Sequence, residues 1–419
     1  MATLRPFAAL RPTRERAAAV SSVPYDVVTV PEARALAAGN PWSFLHVSRA
    51  EIDLPDATDP YADLVYEKAK TNFERLRCEA PFVQEEAPST YLYRLRRNDH
   101  AQTGVAATWS LDEYQSGGIL RHETTRRDKE NDRTRHMVAL RAQTGTVFLT
   151  YRPRQEVDEI VERETAAEPL YDFTSTDGIT HTLWRVSAAN SARLVKEFQD
   201  IPALYIADGH HRVASAARAR EELRRADARS RGEANHDFFI AVAFPSDQVR
   251  ILPYNRVVKD LGGRTPEQFL EAVRSVLPVT EGASPAPRNP GDVSMCLAGR
   301  WYGLRLDGQA GSPGRTGSAD RAAALDVARL QARLLEPILG IGDVRTDKRI
   351  DFVGGIRGTD ALDRLVATGG AAVAFSMHPV SLEDLMAVSD AGGIMPPKST
   401  WFEPKLRDGL LIHTIGEGL

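Results

Sequence analysis

Ala203-Leu204-Tyr205-Ile206-Ala207-Asp208-Gly209-His210-His211-Arg212-Val213-Ala214-Ser215-Ala216 reads as a buried strand, a polar turn and a helix. Leu204, Tyr205 and Ile206 supply the strand, Gly209 permits a sharp turn, and the Ala-rich run from Val213 to Arg220 is a strong helix former. Asp208, His210, His211 and Arg212 are packed into that turn, where a helix N-terminus favours an anion. An Arg at a helix start opposes the helix dipole, so its position suggests a negative neighbour, with phosphate the first candidate. Capping of the helix would explain Asp208 alone; it leaves His210, His211 and Arg212 unaccounted for.

Around this stretch lie 419 residues, more than one hydrophobic core usually supports, so two or three domains are expected. A formal charge of −4 gives no general attraction to nucleic acid or to anionic membranes. The two cysteines, Cys78 and Cys296, stand far apart, which excludes a disulfide framework and a Cys-based zinc site. The N-terminal stretch is broken by Arg5, Arg11, Arg14 and Arg16, and no apolar run reaches membrane-spanning length, so a cytoplasmic, soluble protein is expected.

Composition divides the chain into three blocks: an N-terminal α/β region over 1–101, a central block over 102–260 with an insertion at about 152–200, and a C-terminal α/β domain over 261–419. Pro31 to Gly39 has a helix-start Pro and a helix-end Gly; Ser43 to Val47 reads as a strand, Tyr61 to Leu76 as a helix, and Thr90 to Leu95 and Gly104 to Trp109 as strands. A charged helix runs to about Ala142 with Gly145 as its C-cap, and Val147 to Tyr151 is a buried strand. Further strands are expected at Gly178 to Val186, Phe238 to Phe244 and Arg250 to Val257, with helices at Ala188 to Phe198 and Thr265 to Val276. The polar run Glu221 to Asn235 and the Gly/Pro/Ser-rich runs Gly282 to Gly291 and Gly308 to Ser318 read as connections.

A second polar cluster spans His122 to His136. Helical spacing from Arg126 places Arg126, Lys129, Glu130 and Arg133 on one face, the pattern of a solvated, salt-bridged helix as much as of a site. His122 and Glu123 precede that helix, where a carboxylate can act as general base, orient a cation, or cap. The H-E-x-x-H spacing of zinc proteases would need a histidine where Arg126 stands. Pro24-Tyr25-Asp26 is a pocket wall or an ordinary turn, and Asn255 and Arg256 an acid-binding pair or a structural ion pair. Lys398-Ser399-Thr400 lacks the upstream glycine spacing of a phosphate loop; the adjoining Trp401, Phe402 and Pro404 either close over a site or pack a core.

The carboxylate-bearing loop, the Val147–Tyr151 strand and the A-D-G-H-H-R turn resemble the core of the ParB/sulfiredoxin superfamily. Nearly the whole chain resembles more closely a prokaryotic domain-of-unknown-function family, the ten-fifteen family. That resemblance rests on R-P-F (Arg5 to Phe7), P-Y-D-V (Pro24 to Val27), S-F-L-H-V (Ser43 to Val47), H-E-x-T with K-E-x-D-R (His122 to Arg133), A-D-G-H-H-R, Y-N-R (Tyr254 to Arg256) and P-K-S-T-W-F-E-P-K (Pro397 to Lys405). The resemblance implies a mixed α+β fold with a ParB/sulfiredoxin-like core and α/β additions at both ends. It also implies chemistry related to free-serine kinases, CTP-binding partition proteins or sulfiredoxins. Sulfiredoxins carry a Cys where His210 stands here, and no helix-turn-helix beside a basic patch supports DNA partition.

The kinase relatives imply an ATP- or ADP-dependent, magnesium-requiring enzyme that phosphorylates a small hydroxyl-bearing metabolite, free L-serine first among them. On that reading Gly209, His210 and Arg212 hold phosphates with Asp208, Lys129 and Arg133 nearby, and Glu123 is the base, with His122 and His211 beside the reaction. Asp208, Glu130 or Asp132 would hold the metal. The alternatives are a nucleotide-binding (CTP or ATP) switch without turnover, and a metal-dependent hydrolase built on His122, Asp208, His210 and His211. Neither nucleic acid nor membrane is an expected partner; oligomerisation is left open.

Overall fold

A computed structural model of the chain describes residues 3–226, 234–306 and 318–416. The fold is mixed α+β, and its contacts group into two compact units: 1–120, 125–249 and 404–419 in the first, 121–124 and 250–403 in the second.

The first unit is built on a nine-stranded mixed sheet. Its strands run in the order Ile119–Leu120, Leu204–Asp208, Val147–Tyr151, Phe238–Pro245, His100–Ser110, Tyr91–Arg97, Thr180–Arg185 and Tyr171–Thr174, and Leu4–Arg5 also pairs with His100–Ser110. Val147–Tyr151 is parallel to Phe238–Pro245 and antiparallel to Leu204–Asp208. Both strands are buried nearly throughout and read as continuous apolar runs, as central strands covered on two faces do. Trp109 and Tyr151 pack edge-on against Phe198 of the Ala188–Gln199 helix, and the Trp109 indole donates to the Ala241 carbonyl at 3.2 Å. Burial of these rings without an orphaned N–H is a large part of what holds the sheet to its helices.

The block boundaries suggested by composition meet this sheet directly. Near residue 101 the chain makes the hairpin between Tyr91–Arg97 and His100–Ser110. Segment 152–200 contributes Tyr171–Thr174 and Thr180–Arg185 to the same sheet, the latter pairing with Tyr91–Arg97. Pairing of strands so distant in sequence leaves no mark on local composition.

The second unit carries a six-stranded antiparallel sheet in the order Val279–Glu281, Arg300–Arg305, Asp292–Leu297, Val373–Met377, Tyr254–Val258 and Ile350–Gly354. Helices Pro266–Arg274, with its Thr265 capping box, and Gly358–Ala367 belong to it. Trp401 stacks edge-on against Tyr254 at 5.4 Å, so core packing accounts for that ring.

Four local expectations change. Ser43 to Val47 is not a strand: Leu45–Ser48 is a helical turn in which Phe44, Leu45 and Val47 are all buried, and alternation cannot bury three such neighbours. Arg250 to Val257 divides at Pro253 into Arg250–Leu252 and Tyr254–Val258, which lie in different sheets. The charged helix runs Arg127–Leu140 and ends on Arg141 at φ +50°, so Gly145 is not its C-cap. Helix His210–Ala226 starts three residues earlier than Val213, placing His210 and His211 in its first turn. Most of the expected loop at 308–318, and the 227–233 part of the polar run, lie outside the described residues.

The last stretch of the first unit is woven through it. Asp408 and Ser22 exchange backbone hydrogen bonds, Leu10 and Ile412 do likewise, and His413–Thr414 pairs with Ala142–Gln143. Gly409, at φ +88°, passes so close to Phe44 that a Cβ would lie 2.7 Å from its buried ring. Gly409→Ala is therefore expected to destabilise the protein by about 2–4 kcal/mol, through left-handed strain plus overpacking, in urea denaturation. An unchanged midpoint would refute this account of the segment.

Candidate functional site

The candidate site grows from the end of the Leu204–Asp208 strand, within the first unit. The register against Val147–Tyr151 shifts between Ile206 and Asp208, so that Ala207 is the extra residue of a bulge and Asp208 is the last to pair, opposite Phe148. Gly209 follows at φ +97°, a conformation that side chains resist, and its carbonyl accepts from the Arg212 and Val213 amides to start the 17-residue helix. Strand end and helix start thus stand one residue apart, and Asp208 and Arg212 are held to the same turn.

Arg212 is buried, with 4% of its side chain exposed. Its guanidinium donates to the Thr146 carbonyl at 2.7 Å and to Asp26 at 2.9 Å. Gly145 leaves room for it: a Cβ there would lie 3.3 Å from Arg212 Cδ and 3.7 Å from an Asp408 carboxylate oxygen. Burial lowers the Arg212 pKa, but Asp26, Asp408 and Asp208 outweigh it and hold the guanidinium firmly charged. The Tyr25 ring lies under two cations, Arg133 at 4.3 Å and Arg212 at 5.6 Å.

Lys405 reaches Asp208 at 2.7 Å. Burial pushes the Asp208 carboxyl up, yet Lys405 and Arg212 overcome that and keep it well below the ordinary carboxylate range. Asp408 goes the other way: burial, against the pull of Arg212 and with the push of Asp26, raises its carboxyl to about 7. Three carboxylates and two cations are thereby gathered from residues 26, 208, 212, 405 and 408. The opposite displacements follow from what faces each carboxyl: two cations outweigh burial at Asp208, and burial with Asp26 outweighs Arg212 at Asp408.

The other expected site residues fall in several places. His210 is buried in the first helical turn, and its charge bears on Asp208. His211 accepts the Arg126 backbone N–H through Nε2 at 3.0 Å, which requires that nitrogen to be unprotonated. Arg133 is committed to Asp132 at 2.8 Å and to the Ser48 carbonyl at 3.1 Å; it shares the Tyr25 ring with Arg212, and its charge favours the Asp408 carboxylate. Asp132 also accepts from the Tyr66 hydroxyl. Lys129 donates to the Tyr61 hydroxyl at 3.0 Å. Glu130 accepts from Thr125 and pairs with Arg218 at 3.4 Å. His122 and Glu123 belong to the short segment grouped with the second unit, where the His122 carbonyl accepts from the Met395 amide. Asn255 and Arg256 form no acid-binding pair: Asn255 accepts from Met377, and Arg256 donates to the Tyr254 and Pro397 carbonyls.

Asp408 and Thr146 were not legible as site residues, and Lys405 drew no role although it ends a quoted motif. A lone lysine or aspartate in a loop carries no local signal. Asp26, readable as an ordinary turn residue, proves to be the counter-ion of Arg212.

The fold and site together define a mixed α+β protein with a buried ionic cluster at a strand-to-helix turn. The chain belongs to the family described as Protein of unknown function (DUF1015), which matches residues 4–328. Lys405 and Asp408 lie beyond that match. Among solved structures, the chain is similar to a free serine kinase in complex with AMP, at 13% identity, covering 71% of this chain and 86% of that one, with a TM-score of 0.35. A mutant free serine kinase in complex with ADP gives 13%, 73%, 88% and 0.34. SbnI with a C-terminal truncation from Staphylococcus aureus gives 13%, 72%, 85% and 0.37. No curated protein matches the chain by sequence.

Proposed function

We propose that the protein is a nucleotide-dependent phosphotransferase that holds its donor at the Asp208–Arg212 turn and phosphorylates a small hydroxyl-bearing metabolite, with free L-serine the first acceptor to test. The observation that carries this reading is the gathering of Asp26, Asp208, Arg212, Lys405 and Asp408 at the start of a long helix. Phosphoryl transfer asks the protein mainly for positioning and for cations that can reach phosphate; the helix start supports the first, and Arg212 and Lys405 are the cations at hand for the second.

In this reading the first turn of His210–Ala226 faces the phosphates. Glu123, three residues before the Arg126 amide that His211 accepts, takes the acceptor's proton, and His122 and His211 assist. Magnesium is the implied metal, and Asp208 suits it: the carboxylate stays ionised and hard, and 30% of its side chain is exposed. Glu130 suits it less, being held by Thr125 and Arg218. Magnesium bound there would neutralise phosphate charge.

The test is phosphorus NMR of purified protein with magnesium, L-serine and, separately, ATP, ADP, CTP and pyrophosphate. Wild type is expected to form O-phosphoserine with one of these donors, and Glu123→Gln to lose about 100- to 10,000-fold in rate while still binding nucleotide. Nucleotide binding without any phosphorylated product would replace the kinase by a nucleotide-responsive switch. Absence of both would remove the reading altogether.

A further inference from the structure

The two cations of the turn are held differently. Arg212 is sealed in, 4% exposed and fixed by the Thr146 carbonyl and Asp26. Lys405 and Asp208 are 16% and 30% exposed, so this pair stands at the edge of the cluster. With three carboxylates against two cations, an arriving polyphosphate finds no surplus positive charge unless one pair opens. The pair able to open is the partly exposed one, whose cation sits on a flexible four-carbon stem. Its backbone, meanwhile, is anchored: Asp408 exchanges hydrogen bonds with Ser22, and Arg407 donates to Ser175 at 3.1 Å and pairs with Asp177.

We propose that Lys405 is a phosphate-binding residue of this site and that its bond to Asp208 is a resting state. On nucleotide binding, Asp208 exchanges the ammonium for a divalent cation, and Lys405 turns its ammonium to a phosphate oxygen. The exchange leaves neither group unpaired, because Asp208 always keeps a cation and Lys405 always keeps an anion. It also couples the two ligands: metal on Asp208 frees the group that holds phosphate, and phosphate on Lys405 frees the group that holds metal. The inference rests on the nucleotide reading above.

Calorimetric titration of the full chain with ADP, with and without Mg2+, and electron paramagnetic resonance titration with Mn2+ alone, test it on wild type, Lys405→Met and Lys405→Arg. Wild type is expected to bind ADP more tightly with Mg2+. In Lys405→Met, ADP with Mg2+ is expected to bind about 10- to 100-fold more weakly, the loss of one charge-assisted hydrogen bond, while Mn2+ alone binds several-fold more tightly because Asp208 has lost its competitor. Lys405→Arg keeps the Asp208 pair and the fold, and its firmer fork is expected to weaken Mn2+ binding. Wild-type ADP affinity in Lys405→Met, or Mn2+ affinity unmoved in either variant, would overturn the inference while leaving the nucleotide reading intact. Failure of wild type to bind ADP, and ATP, CTP and pyrophosphate titrated in its place, would overturn the reading, and the inference with it.

Discussion

Arg212→Met is expected to destabilise the protein by about 3–5 kcal/mol, because it strips a buried cation from the carboxylates that depend on it. Asp26 would lose a 2.9 Å partner, the buried Asp408 would lose the stronger of the two arginine charges that favour its carboxylate, and Asp208 would keep Lys405 but lose its second cation. The Thr146 carbonyl would lose its donor too. Urea denaturation measures the loss. Adding Asp408→Asn to Arg212→Met is expected to restore about 1–2 kcal/mol at neutral pH, since it removes a buried carboxyl that, without its arginine, must take up a proton on folding. A loss below about 1 kcal/mol in the single variant would show that the cluster does not depend on its arginine.

Asp408→Asn alone should be read against pH. The folded carboxyl titrates at about 7, above its ordinary 3.8. Below 3.8 both folded and unfolded chains hold the proton; between 3.8 and 7 the native protein keeps a proton that the unfolded chain has released. Stability from this group is therefore fully present in acid and is lost as pH rises through 7. About three pKa units at ~1.4 kcal/mol each put the full span at roughly 4 kcal/mol. Asparagine cannot ionise, so the stability of Asp408→Asn relative to wild type should rise by about 2–4 kcal/mol between pH 4 and pH 8.

The buried histidines act in the opposite sense: burial lowers His136 and His413 to about 4 and His181 to about 3, so their contribution is present above 6.5 and is lost as pH falls. They are common to both proteins and cancel in the comparison. A difference that stays constant from pH 4 to pH 8 would refute the raised carboxyl.

Local reasoning reached the elements whose signals are local. Pro31 at its start and Gly39 just past its end mark the Val30–Ala37 helix from within a few residues. The apolar run Val147–Tyr151 announces a buried strand, and periodicity places Ala188–Gln199. It failed where burial rather than alternation governs, as at Phe44 to Val47, and where a helix ended on Arg141 in a conformation that sequence preference would assign to glycine.

What the sequence determined by itself is the strand, turn and helix of 203–216, with Asp208, Gly209, His210, His211 and Arg212 at their junction, because hydrogen bonds between near neighbours and side-chain periodicity suffice for that. What only the tertiary structure decided is which charges answer them. Asp26 meets Arg212 across 186 residues of chain, and Lys405 meets Asp208 across 197. Such partners are chosen by strand order in a mixed sheet and by the path of the final segment back through it. Burial among these charges then displaces the Asp208, Arg212 and Asp408 pKa values in directions that the isolated side chains do not show.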